Sequence, residues 1–287
     1  MDALYLYPSY AKMSRGIAGE DRMAVERRGA AIDIAGLRKE YVSHQGSVLA
    51  LDDINLRVAP GEFLCLVGPS GCGKSTLLRI LAGLDHHTSG TITVDAKGWA
   101  VQNAMVFQES GLFPWMNVET NVGFGLTTRG VAPAEIAARV EAALKLVGLT
   151  KFRRHYPHQL SGGMRQRSAI ARAFVTDPAM LLMDEPFAAL DAQNRVILQT
   201  ELVRIWGETR KTVIYVTHSI EEALLMGDRC VIMTAQPGRI KQIIDVPFPH
   251  PRDLIKLSAA PEFGALKLDI WHVLEEEVNR ARAELEL

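Results

Sequence analysis

Residues 68–76 of this 287-residue chain read Gly-Pro-Ser-Gly-Cys-Gly-Lys-Ser-Thr, with one apolar run, 63–67, before them and another, 77–82, after them. That order describes a strand feeding a helix through a loop built for phosphate. Gly68, Gly71 and Gly73 let backbone N–H groups turn inward and approach phosphate oxygens closely, where a Cβ would obstruct them. Lys74 supplies a point charge for the β- and γ-phosphates and the Ser75 hydroxyl a ligand for Mg²⁺, while Pro69, Ser70, Cys72 and Thr76 complete the nucleotide-binding stretch. A fortuitous glycine loop is the bland alternative, and the strand and helix flanks argue against it. The loop alone leaves open which nucleotide-driven machine it serves.

The length accommodates one generous α/β core plus a smaller subdomain, or two modest domains. Apolar residues at 48% and charged residues at 23% are ordinary for a globular protein. The formal net charge of -1 offers no overall attraction to nucleic acid or anionic lipid, so no nucleic-acid partner is expected. No apolar run approaches the roughly 20 residues that span a bilayer, and the N-terminus lacks the basic-then-apolar order of a signal peptide, so a soluble, cytoplasmic protein is expected. Cys65, Cys72 and Cys230 are too few and scattered for a disulfide framework and are expected to be reduced thiols. Cys72, inside the phosphate loop, is expected to be a thiol that reagents reach and ATP protects.

Residues 1–30 show no sustained period and read as a weakly ordered extension. From Ile32 the pattern turns β-like, through Ile34, then Ile54, Leu56 and Val58, then 91–94, which predicts a short antiparallel sheet beside the core. Three later apolar runs each end in a polar residue: 104–107 at Gln108, 179–183 at Asp184-Glu185, and 212–216 at Thr217-His218. In a parallel α/β sheet the carboxyl ends of strands form the ligand-binding rim, so these residues should converge on the phosphate loop. A further strand is expected at 230–233. Between Gln108 and Asp184 helix signals dominate, including Pro133 in a first turn with a stripe of Ile136, Val140, Leu144 and Val147, and then a helix from Gly163 to Val175. This reads as an inserted helical subdomain over about 109–178. Later helices follow Asp191 and Ser219, the latter with a capping box to Glu222.

The stretch 160–167, LSGGMRQR, together with the phosphate loop, Gln108, MLLMDEP at 180–186, AALD at 188–191 and His218, closely resembles the ABC-transporter ATPases, in that family's order and spacing. The resemblance covers about residues 31–250. It implies a P-loop NTPase core with a mainly parallel sheet, an N-terminal antiparallel β-subdomain and an inserted α-helical subdomain; beyond it, 251–287 read as a C-terminal helical extension by their own periodicity. FQESGLFPWMNVETNV, YPHQLSGGM and DEPFAALDAQNR resemble the nitrate, taurine and alkanesulfonate importer subfamily.

Asp184, at a strand end, can hold Mg²⁺ directly or through water, and Glu185 matches the family's general base. By the same resemblance His218 contacts the γ-phosphate and the water, Gln108 bridges Mg²⁺ or water to a moving segment, and Tyr41 stacks on adenine, core packing being the competing role for Tyr41. Ser161, Gly162 and Gly163 open a helix, an anion site by its own dipole. The resemblance implies that they close over the ATP of a second copy in a two-fold homodimer, with Asp191 at the interface.

Expected, then, is an ATPase that powers import through a separate integral membrane permease fed by an external solute-binding protein, seated at the cytoplasmic face of the inner (plasma) membrane. Nitrate, taurine and alkanesulfonates are the solutes implied, with thiamin precursors carried by similar systems. The alternative is a non-transport ABC ATPase acting on a soluble macromolecular assembly. Leu112, Phe113, Pro114, Trp115 and Met116 are unusually apolar for a loop; they either tuck into the helical section or form a groove for a permease helix. From Pro261 onward Leu266, Ile270, Val273, Leu274, Val278, Ala281 and Leu285 form one stripe, expected to pack on the chain's own domain, with regulation or a second interface left open.

Overall fold

The computed structural model describes residues 29–44, 46–188 and 190–285. The extension expected over 1–30 lies outside them except for Gly29 and Ala30, as do Ala189 of the AALD stretch and the side chain of Leu285. Ala30 is buried, and its carbonyl accepts from the Thr212 hydroxyl at 2.6 Å.

Two sheets organise the chain. The smaller is antiparallel and three-stranded, in the order β2 (Gly46–Val58), β1 (Ala31–Ser43), β4 (Ser89–Asp95). The larger has six strands in the order β5 (Asn103–Val106), β6 (Met180–Asp184), β7 (Thr212–Val216), β3 (Phe63–Val67), β8 (Arg229–Met233), β9 (Ile240–Asp245). All its pairs are parallel except β8 with β9.

Strands β3, β6 and β7 are buried along their whole length, as continuous apolar runs must be when both faces of a sheet are covered. Their alternation sorts the core into two layers. Phe63, Cys65 and Val67 face a layer with Val213, Tyr215 and Trp206, whereas Leu64 and Leu66 face one with Ile54, Leu56 and Leu78. The first layer is capped by α5 (Ala192–Thr209) and α6 (Ile220–Met226) and the second by the small sheet and α1 (Lys74–Leu81).

Between β5 and β6 lie α2 (Val118–Thr127), α3 (Pro133–Leu146) and α4 (Gly162–Val175), which bury Val122, Leu126, Val140, Leu144 and Ile170 among themselves. Helix α3 begins with Pro133, as expected, and ends before Gly148, whose φ of 68° is left-handed. Helix α2 and strand β9 have no counterpart in the sequence reading. Gly123 and Gly125, poor helix formers, obscure the first, and an edge strand without a fully buried residue obscures the second.

After β9, α7 (Leu254–Ser258) and α8 (Pro261–Leu285) return across the molecule. Helix α8 packs on α6 and α7, burying Phe263, Ile270 and Leu274.

Candidate active site

Because β6, β7 and β3 are neighbours, their carboxyl ends stand side by side. The phosphate loop leaves β3. Within it Gly71 and Gly73 take left-handed φ angles of 78° and 94°, conformations that favour glycine. Lys74 is buried, and its ammonium donates to the carbonyls of Gly68 and Pro69 at 2.8 Å each, which sets its charge inside the loop. The following Ser75 donates its hydroxyl to Asp184 Oδ1 at 3.0 Å. A hydroxyl and a carboxylate, both hard oxygen donors, thus meet across 109 residues of sequence. Burial pushes the Asp184 carboxyl above its ordinary range, against the opposing pull of the Ser75 hydroxyl, Lys74 and His218. A cation at this point would favour its ionised form.

Glu185 follows directly but is aimed elsewhere. Its φ of 47° is left-handed, an uncommon and costly conformation for glutamate, and its N–H donates to Val216 O at 3.1 Å. The turn carries its side chain to His218, Nε2 lying 2.7 Å from Oε1. Glu185 and His218 form one unit at the ends of adjacent strands.

Thr217 and Ser219 hold His218 from both sides. Ser219 accepts from the Glu222 N–H at 3.2 Å, the first half of the expected capping box. The second half is absent. The Glu222 carboxylate turns into the core, where it accepts from Gln199 Nε2 at 2.9 Å, Tyr215 OH at 2.8 Å and Thr217 Oγ1 at 2.7 Å. Tertiary partners outbid the local cap, and the three bonds tie the histidine's strand end to α5.

Gln108 sits one strand farther out, exposed beyond β5. The preceding Phe107 carbonyl accepts from Gln166 Nε2 at 2.9 Å, and Arg172 donates to the carbonyls of Gly111 at 2.9 Å and Ser110 at 3.2 Å. Helix α4 therefore holds the glutamine segment by three carbonyls. Gln166 was singled out by no motif role, although a buried amide on the stripe of Ala169, Ile170 and Ala173 was the available signal.

Ser161 caps α4 by accepting the Met164 N–H at 3.3 Å, and Asp191 caps α5 by accepting from Asn194 N at 3.0 Å. The backbone and side-chain bonds from Asn194 hold the Asp191 carboxyl below its usual range. Among the described residues, neither Ser161, Gly162, Gly163 nor Asp191 hydrogen-bonds or pairs with the phosphate loop of its own chain.

Tyr41 is not in the core. Its ring is 42% exposed on the small sheet, its hydroxyl donates to Asp85 Oδ2 at 2.7 Å, and Lys39 Nζ lies 4.4 Å from the ring centroid. Lys39 also donates to Asp85 Oδ1 at 2.7 Å, so two residues that the sequence did not mark fix the ring. Bonds from Lys39 and Tyr41 lower the Asp85 carboxyl to about 2.

Cys72 corrects the expectation of an accessible thiol. It is 1% exposed, packed beneath the loop, and burial pushes its thiol up despite Lys74 beside it. The apolar loop 112–116 is tucked into the helical section only in part. Phe113 packs on Phe124 at 4.7 Å and the buried Asn121 knits the loop by bonds to Phe113, Met116 and Asn117. Trp115 is 70% exposed. Beside it runs a groove of 530 Å³ between β5 and α2, lined by Met105, Phe107, Phe113, Phe124 and Arg172.

Comparison with known proteins identifies the family. A family profile described as ABC transporter matches residues 51–188. An uncharacterized ABC transporter ATP-binding protein of Methanocaldococcus jannaschii is 47% identical over 264 residues, 91% of this chain and 96% of the relative. The nitrate import ATP-binding protein NrtD of Synechocystis is 42% identical over 81% of this chain and 90% of its own length. The taurine import ATP-binding protein TauB of Pelagibacter ubique is 44% identical over 82% and 92%. Among solved structures, a dimeric ATP-binding cassette in a post-hydrolysis state with ADP and Pi superposes with a TM-score of 0.69, at 30% identity, over 76% of this chain and all of the other.

Proposed function

The chain belongs to the ABC transporter ATP-binding proteins and hydrolyses ATP, and on that premise we propose that it powers solute import as one half of a two-fold pair seated on a separate membrane permease. The observation that carries the chemistry is the juxtaposition of two pairs at adjoining strand ends, Ser75 with Asp184 and Glu185 with His218.

In this reading the loop N–H groups and Lys74 hold the β- and γ-phosphates. Ser75 and Asp184 are the residues that would hold Mg²⁺, whose charge would offset that developing on the phosphate oxygens. Glu185 orients a water and accepts its proton as the water oxygen attacks the γ-phosphorus and the bond to the bridging oxygen breaks. His218, held against Glu185, faces the transferred group, and Tyr41 offers its exposed face to the adenine. The α4 terminus at Ser161, Gly162 and Gly163 has no such work in its own chain. It is assigned to the ATP of the partner copy, with Asp191 beside the shared interface, an arrangement supported by the dimeric state of the solved relative.

Among the described residues no helix is long and apolar enough to cross a membrane. In the proposed reading the work passes to another polypeptide, and the groove beside Trp115 is the proposed seat of a permease helix. Through Gln166 and Arg172, α4 links that groove to the Gln108 segment. The import relatives support nitrate, taurine or an alkanesulfonate-type solute, and delivery by an external binding protein belongs to the same proposal.

The test is purification of the tagged chain from its native membrane. Co-purification of an integral membrane protein, with ATP hydrolysis stimulated by one of these solutes and its binding protein, is the expected result. A soluble macromolecular assembly in its place would overturn the reading.

A further inference from the structure

The turn between β8 and β9, residues 234–239, lies against the back of the phosphate loop. Gly238 passes so close that a Cβ there would stand 2.0 Å from the Cys72 carbonyl oxygen. A Cβ on Gly68 would meet Cys72 Sγ at 2.9 Å and the Met233 carbonyl oxygen at 3.1 Å. The turn is also fixed to β2, since Gly238 N–H donates to Ala50 O and Asp52 N–H to Gly238 O, each at 3.0 Å.

On its other side the same turn is held by the C-terminal helix. Ala235 N–H donates to Glu277 Oε2 at 2.9 Å, and Lys241 Nζ on β9 donates to Glu277 Oε1 at 2.8 Å. Glu277 is 1% exposed on α8. Carboxylates are among the residues least often buried, and packing alone would be served by an apolar side chain. Burial alone would push the carboxyl's pKa up, but the bonds from Lys241 and the Ala235 N–H outweigh it and hold the pKa below the ordinary range. The carboxylate is thus fitted to those two donors, with the Arg280 guanidinium 3.7 Å from Oε2 on the same helix.

We propose that Glu277 is a positioning residue for ATP binding, which clamps the C-terminal helix, through Ala235 and Gly238, to the back of the phosphate loop. Moving that helix would loosen the loop, which gives the C-terminal extension a route to the nucleotide. The proposal rests on the ATPase reading of the loop and is independent of any transported solute.

The three buried, free cysteines supply local reporters. Cys72 lies at the clamp, whereas Cys65 and Cys230 face each other across β3 and β8 in the middle of the sheet. The full chain and its Glu277→Ala and Glu277→Gln variants are treated with N-ethylmaleimide without nucleotide, and each cysteine is followed by mass spectrometry. In Glu277→Ala, Cys72 should react about tenfold faster while Cys65 and Cys230 keep their rates, the response of a local opening when a buried donor loses its acceptor. KM for ATP should rise severalfold with kcat retained. Glu277→Gln, whose amide oxygen still accepts from Ala235, should restore most of the Cys72 protection.

Unchanged Cys72 reactivity in Glu277→Ala, or equal acceleration of all three thiols, overturns the clamp. So does a glutamine variant as damaged as the alanine one. Faster Cys72 labelling with an unchanged KM refutes the positioning role. Absence of ATP hydrolysis by the unaltered chain would instead fault the ATPase reading, and the labelling pattern keeps the two failures apart.

Discussion

Glu222→Ala removes one acceptor group and strands three donors, Gln199 Nε2, Tyr215 OH and Thr217 Oγ1, in a region where all four residues are buried. Each stranded donor costs about 1–3 kcal/mol, and single-site losses beyond about 5 kcal/mol are exceptional, so the expected cost is about 3–5 kcal/mol. For a domain of this size each kcal/mol lowers Tm by about 2–4 °C, which places the fall near 10 °C in a thermal scan followed by circular dichroism. Tyr215→Phe removes one donor and its bond together and should cost no more than about 1.5 kcal/mol. Adding it to Glu222→Ala should cost less than the sum, because one stranded group disappears. Thr217 precedes His218, so kcat of the folded Glu222→Ala protein should fall as well. A Tm loss below about 3 °C, or strict additivity of the two changes, would refute the reasoning.

Glu185→Gln should retain ATP binding while kcat falls about 10²- to 10⁴-fold, the usual worth of a positioned general base; phosphate release at saturating ATP measures it, and near-normal turnover would contradict the role. Trp115→Ala should lower solute transport in reconstituted vesicles and spare basal ATP hydrolysis, whereas equal loss of both would point to misfolding. Asp85→Ala should free the Tyr41 ring and raise KM for ATP severalfold at constant kcat. Because the Asp85 carboxyl is lowered to about 2, its contribution to stability is complete above its ordinary value near 4 and is lost as pH falls towards 2. The difference between Asp85→Ala and the unaltered chain should therefore be flat from pH 6 to 8, and a difference that titrates within that window would contradict the assignment.

The sequence displayed the rim of the site because strand periodicity places a residue at a strand's end whatever packs behind it. Asp184, Glu185 and His218 each close an apolar run, and β6 and β7 bring them together. It did not display the supports. Glu222 carried a local signature, Ser219 with a glutamate three residues on, and tertiary donors overrode it. Lys39 and Asp85 lie 46 residues apart and meet only because the small sheet folds over the end of α1. Position inside the phosphate loop makes Cys72 read as reachable, whereas β8 and the turn after it cover its underside. Glu277 was invisible because the helical stripe was read through its apolar neighbours, Leu274 and Val278.

The central claim is that each chain holds half of two shared sites, its phosphate loop serving one and its Ser161, Gly162 and Gly163 the other. Sedimentation of Glu185→Gln with and without Mg-ATP tests it most directly, since slowed hydrolysis leaves ATP in place to hold the halves together. The account predicts a monomer without nucleotide and a dimer with it. A monomer under both conditions, at every accessible concentration, would contradict it.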